Sequence, residues 1–311
     1  MKVAREHSEV FCDVSAEKIV NVATVPQRSP FRYPGGKTWL VPYIRLWLSS
    51  IRSPVPELIE PFAGGAIVGL TAAFENLARI VTLVELDSDV AAVWETILNG
   101  GGKKLAERIA DFELNAQNVR RVLASSNPSP FERAFITILR NRVQRGGILA
   151  SGAGLMKSGE NGKGLASRWY PQTLRNRILA ILEINTKIKF VHGDGLDVLR
   201  RNAKRKDVAY FIDPPYTVAG SRLYTHSEMD HEALFRLVDS LAGDFLMTYD
   251  NAEEIRLLAD KFRFDLEPVP MKNTHHAKMT ELLIGRNLDW ARERQYSELV
   301  SPGFLTQRFR G

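Results

Sequence analysis

A single cysteine, Cys12, in 311 residues rules out a disulfide framework and a cysteine-ligated zinc site, and it suits a reducing compartment. No apolar run approaches the ~20 residues that a membrane span requires. The opening residues MKVAREHSEVF also lack the apolar stretch of a signal peptide. The expectation is a cytoplasmic chain with no membrane partner. His226, His275 and His276 have no supporting carboxylate pattern, so no metal site is expected. The stretch Arg32-Tyr33-Pro34-Gly35-Gly36-Lys37-Thr38 superficially resembles a P-loop. That motif needs glycine where Phe31 stands, and a strand where none precedes, so an NTPase is excluded. No internal repeat is evident.

What is present is enough apolar sequence for one sizeable core, at 44% hydrophobic residues, and a formal net charge of +6 that is compatible with a polyanionic partner. Residues 1–29 show no sustained periodicity and read as a loosely docked extension, with the fold proper starting near Phe31. From Glu57 onward, short apolar runs alternate with longer helical patterns, as in βαβ units on a parallel sheet. The candidate strands are Leu58–Glu60, Ile80–Val84, Ile188–His192, Val208–Ile212, Asp244–Thr248, Phe264–Val269 and Met279–Ile284. Only a short polar link separates the last two, too little for a parallel crossover, so a terminal antiparallel hairpin is expected. Between the second and third strands, residues 100–185 read as helices and loops without a strand, too long for one crossover. They carry the Arg-rich ILRNRVQRGG at 138–147 and a Gly-, Ser- and Lys-rich run at 148–171. An inserted helical subdomain with a positively charged loop is the expectation. Trp94 and Trp169 are expected as core or interface anchors.

Two motifs carry chemistry. Asp213-Pro214-Pro215-Tyr216 follows the apolar strand VAYFI, at the carboxyl end where open α/β sheets bind ligands. Two prolines fix two φ angles and remove two donors, giving a stiff, acceptor-rich turn beside an aromatic ring. A carboxylate and a proline carbonyl could accept both hydrogens of an adenine amino group while the tyrosine stacks on the base. The second motif, Glu60-Pro61-Phe62-Ala63-Gly64-Gly65-Ala66, is a glycine-rich strand-to-helix turn that allows close ligand approach. Glu85 stands about 20 residues beyond it, the separation at which nucleotide-binding folds place an acid on ribose hydroxyls.

FRYPGGK, EPFAGGA, the acid ending the second strand, GDG at 193–195 and DPPY occur in this order in a known family. With LRNR at 139–142, RWYPQTL at 168–174, RLYTH at 222–226 and KMTELLI at 278–284, the chain resembles the Dam-like, D12-class adenine-N6 DNA methyltransferases from Phe31 to about Asn287. The resemblance implies an α/β fold: a Rossmann-like sheet of the S-adenosyl-L-methionine (AdoMet)-dependent methyltransferases, with a terminal antiparallel hairpin and an inserted helical target-recognition subdomain. It implies an AdoMet-binding catalytic domain over 30–99 and 186–290, the insertion at 100–185, an extension at 1–29 and a tail at 291–311. The cofactor is AdoMet. Tyr33, Gly36 and Lys37 resemble the motif that closes over its methionine part, with Lys37 near the carboxylate. Pro61, Phe62, Ala63, Gly64 and Gly65 resemble the central loop, Glu85 the ribose acid (more often aspartate in the family), and Asp194 the acid at the cofactor's adenine. Asp213, Pro214, Pro215 and Tyr216 match the catalytic motif, with Asp213 also at the cofactor.

The implied partner is double-stranded DNA, gripped by Arg32, Arg140, Asn141, Arg142, Arg145, Lys157 and Arg168, with the target adenine flipped out. A homodimer and a cognate restriction endonuclease are further partners the resemblance allows, in a bacterial or phage-encoded, nucleoid-associated protein. RNA adenine, cytosine N4 or a protein glutamine amide would offer a similar planar amino group, and a catalytically silent DNA-binding regulator on the same fold is the alternative outside enzymes.

Overall fold

The structure, a computed structural model, describes residues 20–32, 36–147, 149, 154–159, 162–215, 229–272 and 278–293. Seven strands form one sheet: β1 (Val55–Glu60), β2 (Ala78–Glu85), β3 (Ile188–His192), β4 (Val208–Ile212), β5 (Asp244–Asp250), β6 (Asp265–Lys272) and β7 (Lys278–Gly285). Their order is β3-β2-β1-β4-β5-β7-β6. β1 to β5 are mutually parallel, whereas β7 runs antiparallel to both β5 and β6. This is the expected Rossmann-like sheet with a terminal hairpin.

The side-chain period of two in β1, β2 and β4 divides the apolar residues between two cores. Leu58, Val81, Leu83, Ala209 and Phe211 face one cluster, and Ile59, Val84, Tyr210 and Ile212 the other. The second cluster is closed by α8 (Gly195–Asn202), α9 (His231–Asp239) and α10 (Glu253–Lys261). The first is closed by α1 (Val41–Ile51), α2 (Ile67–Phe74) and α3 (Ser88–Thr96).

The insertion supplies α4 (Gly102–Ala110), α5 (Ala116–Leu123), α6 (Pro130–Val143) and α7 (Pro171–Glu183). The start of α6 is a capping box, Ser129-Pro-Phe-Glu132, whose Ser129 hydroxyl accepts the Glu132 N–H at 3.2 Å. Leu105, Phe135, Ile138, Leu174 and Ile178 belong to the same buried cluster as Leu58 and Val81, so the insertion is continuous with the sheet core. Residues 20–30 also differ from the sequence expectation. Val25 is buried in that cluster, and Arg28 pairs with Glu75 at 3.0 Å and stacks over Phe74, so the docked part of the chain begins ahead of Phe31. Among the described residues no helix is long and apolar enough to cross a membrane, and no group of three or more His, Cys, Asp or Glu could hold a metal ion.

Candidate active site

β1 and β4 are neighbours whose connections leave in opposite directions, to β2 and to β5. That is the topological switch point of the sheet, where a crevice opens beyond the carboxyl ends. The two motifs flank it: Glu60 ends β1 and leads into the glycine loop, and Asp213 directly follows β4.

The glycine loop is braced from below. Gly64 adopts φ +46° and Ala66 φ +51°, left-handed values that glycine tolerates and alanine holds under strain. Because Ala66 gives α2 no side-chain cap, the buried Glu60 carboxylate takes the Gly69 N–H at 2.8 Å instead. Burial, partly offset by this bond and reinforced by nearby Asp213, pushes the Glu60 pKa well up. Gly69 has to be glycine: a Cβ there would meet Glu60 Oε2 and Leu83 Cδ2, both at 2.6 Å.

Glu85 gathers three strand ends. Its Oε2 accepts from Gly64 N at 2.9 Å, its Oε1 from Asp87 N at 2.8 Å, and its carbonyl from Gly193 N at 2.9 Å. Burial pushes its pKa up to about 7 against these bonds. Trp94, buried as expected, also donates from Nε1 to Gly64 O at 2.9 Å. Asp194 is exposed, and its Oδ1 caps α8 through Leu196 N at 2.8 Å. The glycine after it sits against the β1 loop, since a Cβ on Gly195 would lie 2.1 Å from Pro61 O.

The third part of the site is a buried charge network. Lys37 Nζ contacts Asp213 Oδ1 at 2.9 Å and Glu281 Oε1 at 3.0 Å. Burial alone would lower its pKa, but the two carboxylates raise it above the ordinary lysine value, so it is a cation. Thr248 donates its hydroxyl to the same Asp213 Oδ1 at 2.7 Å. Lys37, expected beside the cofactor carboxylate, therefore has its ammonium on Asp213 and Glu281. Pro214 is buried and Pro215 half-buried beside it.

The predicted DNA residues fall into two groups. Arg145, Lys157 and Arg168 line one open depression of about 410 Å³ with Met156 and Ser158. Asn141 and Arg142, by contrast, are buried, and their side chains bond to the protein's own backbone. Asn141 accepts from Arg32 N at 2.8 Å and donates to Arg32 O and Gly147 O, both at 2.9 Å. Arg142 donates to Pro30 O, and burial, helped by Arg177, Arg32 and Arg168, pushes its pKa down to about 10. Arg177 donates to Ser29 O at 2.9 Å, and Phe31 packs on Trp94 with ring centroids 5.8 Å apart. The insertion thus holds Ser29, Pro30 and Arg32, up to the start of FRYPGGK. Arg140 pairs with Asp89 at 3.0 Å, tying α6 to α3. Tyr33, Tyr216, His226, His275 and His276 lie outside the described residues.

The family model for D12 class N6 adenine-specific DNA methyltransferases matches residues 33–269. The chain belongs to this family. Membership brings AdoMet as the cofactor, and the site fits it. Glu85 and Asp194 offer acceptors for hydroxyl and amino groups, Gly64 and Gly65 bring no side chain to the loop, and Leu86, directly after Glu85, is 46% exposed, an apolar surface for a base. The sequence reading missed Leu86, Thr248 and Glu281. For Leu86 the signal was an apolar residue directly after the acid; the other two had none beyond KMTELLI.

No curated protein sequence matches the chain significantly. Among solved structures, a putative RNA methyltransferase from Pyrococcus horikoshii is 9% identical over 85% of this chain and 92% of that one, with a TM-score of 0.40. The N-terminal domain of human METTL16, in complex with SAH, is 7% identical over 81% and 70%, with a TM-score of 0.39. The Bacillus subtilis M1A22 tRNA methyltransferase TrmK is 13% identical over 78% and 64%, with a TM-score of 0.34.

Proposed function

We propose that this D12-class chain is a site-specific DNA adenine-N6 methyltransferase that acts on a base flipped out of the duplex. The observation that carries the reading is the adjacency of the β1 glycine loop and the β4 Asp213-Pro214 turn at the switch point. This adjacency supports assigning the loop to a nucleoside and the turn to an amino group beside it.

When bound, AdoMet supplies an activated methyl group on a sulfonium, and the remaining work is positioning and electrostatics. Glu85 and Asp194 are assigned to its ribose and adenine, Leu86 and Phe62 to the apolar faces of its base, and Pro61 to Gly65 to the backbone cradle. An N6 amino group is a poor nucleophile because its lone pair is delocalised into the ring. The Asp213 carboxylate and the Pro214 carbonyl are assigned to accept its two hydrogens, which directs the lone pair out of the ring plane. Tyr216 is assigned to stack on the extruded base, recovering part of the few kcal/mol that flipping costs. Arg145, Lys157 and Arg168 are assigned to DNA phosphates, where each contact displaces counterions. Residues 100–185 would then serve target recognition.

The test is transfer of a labelled methyl group from AdoMet to duplex DNA, structured RNA and protein, followed by analysis of the hydrolysed product. Labelled N6-methyladenine in duplex DNA is the expected result. Label confined to RNA or protein would contradict the reading.

A further inference from the structure

The mechanism above uses Asp213 but leaves Glu281 without a task. Glu281 is 3% exposed and sits on β7 directly opposite Asp250 on β5. A carboxylate this far from water costs several kcal/mol unless it is paired. Its partner is Lys37, equally buried, whose ammonium lies 3.0 Å from Glu281 Oε1 and 2.9 Å from Asp213 Oδ1. On the other side, Thr248 of β5 donates to that same Asp213 oxygen at 2.7 Å. Asp213 therefore stands in a frame made by the neighbouring strand and by the antiparallel hairpin, with Lys37 as the bridge.

We propose that Glu281 is a positioning residue for methyl transfer: by holding Lys37 it fixes the rotamer of the Asp213 carboxylate and shares the lysine charge that Asp213 would otherwise take alone. The inference rests on the reading of Asp213 as the amino-group acceptor. A carboxylate that carried the whole ion pair with Lys37 would be a weaker acceptor for the substrate hydrogens and would turn toward the ammonium. Its action is assigned to Lys37, not to the substrate or the cofactor. The hairpin strand β7 thereby gains a task beyond closing the sheet.

Three measurements on the full chain test this. E281Q is expected to lower kcat about tenfold while leaving the AdoMet dissociation constant within about twofold; a loss confined to AdoMet affinity would overturn the proposal. In a Lys37→Met background, where the bridge is absent and E281Q only removes a carboxylate already left unpaired, E281Q is expected to cause no further loss of kcat; an undiminished tenfold loss there would show that Glu281 acts by another route. The third readout is independent of activity. A crystal structure of E281Q is expected to show the Asp213 carboxylate turned from the Thr248 hydroxyl, and wild-type contacts at Thr248 and Lys37 would overturn the idea. If the wild-type protein methylates nothing yet E281Q shows that displacement, the proposed function falls and the positioning stands.

Discussion

Two sets of cations in this molecule have the same residue types and opposite settings. At the strand tips, Lys37 is 4% exposed and shared between two carboxylates. On the rim of the insertion, Arg145 and Lys157 are exposed and face an open depression. A buried charge has to be matched by the protein's own groups, so its position is fixed by the fold and it serves to hold other groups in place. An exposed charge is screened and weakly bound to its neighbours, and so remains available to a polyanion. Arg142 belongs with the first set although its sequence context, LRNR, suggested the second. It holds Pro30, next to Asn141 on Arg32 and Arg177 on Ser29. The part of the chain assigned to DNA thus reaches the cofactor motif through backbone contacts.

Exchanging members of the two sets should separate them. Outside the two sets, the largest effect on cofactor binding is expected for Gly195→Val, where any Cβ meets the Pro61 carbonyl at 2.1 Å. The β1 and β3 loops must then part, so AdoMet affinity measured by calorimetry should fall more than tenfold. Arg142→Ala empties a buried site and should cost about 2 kcal/mol in urea unfolding, with the salt dependence of DNA binding unchanged. Arg145→Ala should do the reverse. Its unfolding free energy should stay within ~0.5 kcal/mol of wild type, and the slope of log affinity against log salt should drop by about 1. An Arg145 variant with an unchanged slope, or an Arg142 variant of wild-type stability, would erase the distinction.

The smallest effect concerns pH. Burial raises the Glu85 carboxyl to about 7, and its ionised form is the better acceptor for ribose hydroxyls. AdoMet affinity should therefore rise about tenfold from pH 6 to pH 8, and Glu85→Gln should flatten that rise. In the free protein the sign is opposite. The folded chain keeps the proton longer than the unfolded one, so this group's contribution to stability falls as pH rises from about 4.5 through about 7. A flat wild-type affinity profile would remove Glu85 from the ribose.

The strands were legible because buried strands are written as local apolar runs, and β3 and β4 coincide with theirs. β1 begins at Val55, ahead of its expected start, because Pro56 and Glu57 mask a strand whose neighbours supply the register. The order of the site motifs was legible too, since all but FRYPGGK sit at a strand end. Asn141, Arg142, Thr248 and Glu281 were not legible in their roles. A sequence gives their polarity but not their burial, and at least one partner of each lies more than thirty residues away, from Thr248 to Asp213 up to Glu281 to Lys37. Such pairings follow from sheet order at Thr248 and Glu281 and from the packing of α6 on residues 30–32 at Asn141 and Arg142, neither of which a local pattern encodes.

Asp213, held at the switch point by Lys37 and Thr248, is proposed as the acceptor that makes the amino group reactive. The most direct test is the single-turnover rate of methyl transfer to DNA in Asp213→Ala against wild type, with AdoMet affinity measured on the same samples. The rate is expected to fall by at least about a hundredfold, with affinity changed by less than about fivefold. An unchanged rate, or a loss that saturating AdoMet restores, would contradict it.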